Sequence, residues 1–245
     1  VESLMMGNLD SSEARVLGER IREYLPGGAI PDGAWPETRM ARVPQGAHLF
    51  SLKALNEDET NNVVIYYFQV GESTWRARAF VILMQSLMHE KLFDQLRTKE
   101  TLGYSVNCAF DATHEVLGYR VVVESAFHPP HFVSSRMAAF LRSFPETLEN
   151  MDDESYAKTR QSVVDDILAD DVNLRDEAMR YWSQLVNNKY QFHRGKHVAN
   201  IISEISKQEA AAWCREFIQP FAPESRHVSV HVHGKNHAVP EAGLE

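Results

Sequence analysis

Arg97 and Tyr104, within Leu96-Arg97-Thr98-Lys99-Glu100-Thr101-Leu102-Gly103-Tyr104, are the residues best placed to act on a substrate. A fixed guanidinium and a phenolic hydroxyl can together orient a peptide carbonyl and stabilise the charge that develops on its oxygen. Each residue also has a plainer reading. A cation ending a helix is favoured by the macrodipole and can bond orphan carbonyls. A tyrosine on a strand can be a core aromatic whose hydroxyl finds a local partner.

Other groupings that could carry chemistry are weaker. His227, His231 and His233 share one face of a strand with Ser229, at a spacing open to zinc. A polar sheet face beside Val228, Val230 and Val232 is the simpler expectation. Asp165-Asp166 and Asp170-Asp171, followed by Asp176 and Glu177, resemble a magnesium cluster in composition only, because oxygen-ligand sites need carboxylates that converge. They read as a solvated face. Gly71-Glu72-Ser73 lacks the glycine that a nucleophile elbow needs two residues beyond its serine. His128-Pro129-Pro130-His131 suits the start of a helix, where a missing amide hydrogen is harmless.

The elements that hold Arg97 and Tyr104 follow from periodicity. Phe80, Leu83, Met84, Leu87, Met88, Leu92 and Leu96 recur at helical spacing, predicting a helix over 75–96 with Arg97 near its end. Gly103 supplies freedom to turn. Tyr104, Val106, Cys108 and Phe110 then alternate with smaller or polar residues, as on a strand with one core face.

The remaining chain reads as a two-layer α+β arrangement. Strands are expected at 3–6, 39–43, 47–55, 62–70, 103–110, 118–125 and 226–233, with 111–117 as a hairpin loop. Helices are expected from Ser11 or Ser12, as cap, to Leu25, and near 132–148, 153–169, 174–187, 197–202 and 207–218. The Pro- and Gly-rich stretch 26–36 reads as a surface connection. Residues 1–234 read as one domain and 235–245 as a flexible tail.

Composition narrows the function. The 245 residues are 44% hydrophobic, enough for a substantial core in one domain or two. A net charge of −9 disfavours nucleic-acid binding, which calls for a dense basic face. No apolar run approaches the ~20 residues that span a bilayer. Cys108 and Cys214 are too few for a disulfide scaffold and suit a reducing compartment, giving a cytoplasmic expectation. The chain opens at Val1, which reads as a piece excised or processed from something longer.

Phe93 through Tyr104, FDQLRTKETLGY, resembles the junction in the last domain of insulin-degrading-enzyme-type peptidases of the M16, inverted-zinc, family. Asn61-Asn62 with Val63 to Gln69, Pro129-Pro130-His131 with Ser135-Arg136 and Ala139-Phe140-Leu141, and Tyr181-Trp182 with 226–232 resemble that domain in the same order. The resemblance implies a mostly antiparallel sheet packed on helices, metalloprocessing-peptidase-like (LuxS-like). It implies a non-catalytic, substrate-binding C-terminal domain of a zinc metalloendopeptidase that degrades peptides inside an enclosed chamber. Arg97 and Tyr104 would hold substrate and support the transition state.

The implied zinc would lie in the N-terminal domain of the parent, with no cofactor bound here. The family's H-x-x-E-H string, whose histidines ligate metal and whose glutamate activates water, does not occur in this sequence. His89-Glu90 is the nearest fragment and reads as an exposed helix face. Expected partners are the remaining domains of the same polypeptide and peptide substrates, with room for a homo-oligomer and with no nucleic acid or membrane. A scaffolding M16-related domain without peptidase activity is the alternative. The acidic 165–177 segment departs from the lysine- and proline-containing stretch of the best-known members, so their preference in substrate charge does not carry over.

Overall fold

The computed structural model describes residues 2–25, 27, 28, 30, 31, 33, 34, 39–187 and 189–240. Five strands, β1 (Gly46–Lys53), β2 (Asn62–Glu72), β3 (Ser105–Thr113), β4 (Val116–Ser125) and β5 (Arg226–His233), form one sheet in the order β1-β5-β2-β4-β3. Only the β1–β5 pairing is parallel; β5–β2, β2–β4 and β4–β3 are antiparallel. The helices are α1 (Ser11–Tyr24), α2 (Trp75–Phe93), α3 (Pro130–Glu149), α4 (Asp153–Leu168), α5 (Leu174–Val186), α6 (Arg194–Glu204) and α7 (Lys207–Phe217). A π-helical turn, Asp94–Lys99, continues α2.

The chain divides into two compact units, Met40–Ile167 with Lys196–Glu245, and Val1–Arg39 with Leu168–Gly195. In the first, α2, α3 and α7 cover one face of the sheet. Thr74 caps α2 by accepting from the Ala77 amide, and Ala79, Phe80, Val81, Leu83, Met84, Leu87, Met88 and Leu92 are buried along it. Phe80 stacks parallel to Trp213 of α7 at 5.8 Å, joining the two helices. Pro130 opens α3 behind Pro129 at the cap, as expected of that dipeptide. Ser206 and Glu209 form a reciprocal capping box on α7.

In the second unit, α1 begins at Asp10, whose carboxylate accepts from the Ser12 and Glu13 amides. The cap is therefore one residue ahead of the expected serine, because a carboxylate is as good an acceptor and carries favourable charge. Tyr181 packs edge-on to Phe192 at 5.7 Å in this unit. The acidic segment forms no convergent cluster among the described residues. Asp171 instead pairs with Arg180, Nη2 to Oδ2 at 2.7 Å.

Several expectations need correction. No strand forms at 3–6 or 39–43. In the latter segment, polar backbone groups find side chains in place of a neighbouring strand. The Gln69 amide donates to the Ala41 carbonyl at 3.0 Å and accepts from the Val43 amide at 2.9 Å, while Arg226 donates to the Val43 carbonyl. The loop expected at 111–117 shrinks to His114-Glu115, both at positive φ (46° and 64°), with β3 and β4 paired from Thr113 and Val116 onward. That is the two-residue turn that matches strand twist. Part of the 26–36 connection and residues 241–245 of the tail lie outside the described residues. Within the tail's nearer part, the Lys235 amide donates to the Glu59 carbonyl at 2.7 Å.

The face assignment of β5 is inverted. His227, Ser229, His231 and His233 point to the helix-covered side and are buried, while Val228, Val230 and Val232 lie half-buried on the open side with Val63, Ile65, Tyr67 and Val122. The histidines are accommodated because rings and hydroxyls meet them. His227 stacks on Phe68 at 4.5 Å and stands edge-on to Tyr66 at 4.6 Å. His231 Nε2 lies 3.0 Å from Ser229 Oγ, and His233 Nε2 lies 2.8 Å from Ser51 Oγ.

Candidate functional site

Arg97 sits in the π-helical turn, a wide turn of a kind frequent at functional sites. The expected single helix thus changes pitch after Phe93, while Leu96 remains fully buried as its anchor. The Leu102 amide donates back to the Leu96 carbonyl at 2.9 Å. Glu100, just past the turn, ties it to α3. It accepts from Arg136 twice, at 2.6 and 2.8 Å, and from Gln95 at 2.7 Å. The Arg136 hydrogen bond is the main reason the Glu100 carboxyl titrates below its usual range.

Gly103 then packs the chain against the end of β4. A Cβ there would lie 1.8 Å from the Glu124 carbonyl oxygen, so close approach, not φ, demands glycine. The left-handed residue of this turn is Thr101, at φ 50°. Tyr104 emerges before β3 begins and is 84% exposed, which removes the core-aromatic reading. Val106 and Cys108 keep the predicted core face of that strand.

The two candidate residues meet. The Arg97 guanidinium carbon lies 4.7 Å from the Phe93 ring centre and 4.7 Å from that of Tyr104. Neither the Arg97 guanidinium nor the Tyr104 hydroxyl makes a hydrogen bond or ion pair among the described residues. Cation–π contact with the two rings restrains the guanidinium while leaving it N–H donors to offer. Asn61, Thr101, Gly103, Glu124, Ala126 and Phe127 complete a recess of about 260 Å³ around the pair. Phe127, 82% exposed, is the residue that sequence reasoning missed. Its only signal is a large apolar residue between a strand and a Pro-Pro helix start.

The other candidates scatter or are inert. His89 and Glu90 are exposed on α2. Cys108 and Cys214 are buried, and desolvation pushes both thiols up, that of Cys108 to about 11. No three His, Cys, Asp or Glu side chains converge as metal ligands among the described residues.

Residues 83–182, which include the whole Arg97–Tyr104 junction, match the family described as PQQ synthase PqqF-like, C-terminal lobe domain 4. A nardilysin-like protein of Arabidopsis thaliana is 31% identical over 239 residues, which cover 96% of this chain and 23% of that protein. The chain resembles the C-terminal lobe domain of M16 peptidases. Human nardilysin is 30% identical over 96% of this chain, and human insulin-degrading enzyme 26% over 95%. The crystal structure of pitrilysin shares the fold, with a TM-score of 0.79 at 19% identity over 97% of the chain and 24% of pitrilysin. The chain spans about a fifth to a quarter of the length of these curated relatives.

Proposed function

We propose that this domain is the substrate-holding lobe of a larger, insulysin-like zinc endopeptidase, acting on peptides in a cytoplasmic setting inside a chamber completed by other domains of the same polypeptide. The observation that carries this reading is the pairing of a stacked arginine, its donors uncommitted, with an exposed tyrosine hydroxyl beside one recess. Arg97 donates to a peptide carbonyl and Tyr104 donates to the same or the neighbouring carbonyl, orienting the backbone and countering charge that builds on oxygen. The donor set of this chain does not fit a zinc site, since it has neither H-x-x-E-H nor converging ligands among the described residues. Water activation therefore belongs to residues outside the domain.

The test uses the full-length parent, with Arg97→Ala and Tyr104→Phe made separately and a quenched fluorogenic peptide as substrate. Each loses about a hundredfold in kcat, as expected for one donor to a developing oxyanion. Unchanged kcat/KM in both variants would remove the assigned roles.

A further inference from the structure

We infer that the recess between Tyr104 and Phe127 is a subsite for one apolar side chain of the peptide, with Phe127 as its specificity-determining residue. The inference rests on the reading of Arg97 and Tyr104 as the backbone grip. Phe127 and Tyr104 are 82% and 84% exposed and line the same recess, an unusual pairing of large uncovered rings. At about 260 Å³ the space is below the range of sites that enclose a whole small molecule, and it suits a single side chain.

The wall chemistry selects apolar occupants. Arg97 and Glu124 both line the recess, so a side chain of either charge meets one like charge as well as one opposite. The Arg97 guanidinium already contacts two rings, those of Phe93 and Tyr104, each at 4.7 Å. The Phe127 ring, the remaining surface of the Tyr104 ring, Ala126 and Gly103 offer apolar contact.

The recess is also held in shape. Asn62, buried on β2, donates to the Ser125 carbonyl at 3.3 Å and to the His128 carbonyl at 3.1 Å, on the two sides of Phe127. The His128 amide donates to Ser125 Oγ at 3.1 Å, and the His128 ring rests 5.1 Å from Phe132. A Phe presented on a clamped backbone loses little freedom when a ligand packs on it, so its contact area converts efficiently into selectivity.

The experiment measures kcat/KM of the full-length parent, its Phe127→Ala and Phe127→Leu variants, and Arg97→Ala, on peptides identical except for one position scanned through Phe, Leu, Ala, Asp and Lys. The parent prefers Phe and Leu over Ala, Asp and Lys at one position. Phe127→Ala shrinks that preference about tenfold or more while changing turnover of the Ala peptide less than about threefold. Phe127→Leu retains most of the preference. An unchanged preference in Phe127→Ala, or none in the parent, overturns the subsite, and a large loss of turnover in Arg97→Ala would then leave the backbone grip standing. A preference shift in Phe127→Ala with full activity in Arg97→Ala supports the subsite and overturns the grip.

Discussion

Replacing His227 by phenylalanine should stabilise the chain and blunt its sensitivity to acid. The imidazole of His227 is fully buried, stacked on Phe68, edge-on to Tyr66 and 5.4 Å from Phe221, and neither ring nitrogen has a hydrogen-bond partner among the described residues. Desolvation first, then the nearby His48 and His231, lower its pKa from 6.5 to about 4. Above pH 6.5 the ring is neutral whether folded or unfolded, so it adds no pH dependence. As pH falls from 6.5 toward 4, the unfolded chain takes up a proton that the folded chain refuses, and stability declines. At 1.36 kcal/mol per unit the full loss is about 3 kcal/mol, of which about 2 kcal/mol is lost between pH 7.5 and 5.

A phenylalanine keeps the ring stack and has no nitrogens to leave unpaired. It should raise stability by about 1–3 kcal/mol at pH 7.5, and remove about 2 kcal/mol from the loss between pH 7.5 and 5. His231, also lowered to about 4 by burial and by His233 and His131, keeps its own share of the acid sensitivity in both proteins. Only the difference between wild type and variant therefore reports on His227. Urea unfolding midpoints at the two pH values, converted with measured slopes, supply it. Equal acid loss in the two proteins would show that His227 is protonated or hydrated when folded, and the reasoning would fail.

Three further outcomes follow from the scaffold of the site. Gly103→Ala sets a Cβ 1.8 Å from a backbone oxygen, and should cost about 1–3 kcal/mol or more in unfolding free energy with a parallel loss of parent kcat/KM as Tyr104 shifts. Arg136→Ala strips Glu100 of two charge-assisted hydrogen bonds. It should cost about 1–2 kcal/mol, at the low end because Arg136 is partly exposed, and reduce turnover without touching substrate. Asn62→Ala leaves the Ser125 and His128 carbonyls and the Gly234 amide without their partner. Amide exchange should accelerate around 126–128 and 234–237, with about 2–3 kcal/mol of stability lost.

Periodicity located most elements because alternation and helical spacing report which residues share a face. It does not report which face is covered. On β5 the histidines suggested the polar face, yet Tyr66 and Phe68 on β2 hold His227 on the helix-covered side. The same limit affects Tyr104, which continues the alternation of Val106 and Cys108 but precedes the paired strand. The 39–43 segment has strand composition, but Gln69 and Arg226 satisfy its backbone before any ladder forms. Arg97 and Tyr104 were legible as a motif. Phe127 was not, because its significance is spatial.

The junction explains how the proposed grip is both exposed and ordered. Arg97 and Tyr104 gain nothing from a core, so their positions must come from neighbours that do. Leu96 is buried beneath the turn, Glu100 is bound to α3 through Arg136, Gly103 lies flush on the Glu124 carbonyl, and Asn62 holds the loop opposite. These anchors lie on different elements, so losing one should loosen the site without dissolving the fold. Substitutions at Glu100 or Arg136 should accordingly depress catalysis at temperatures where the chain remains folded. A matched fall in activity and in folded fraction would instead mean that the anchors support the domain as a whole and not the grip.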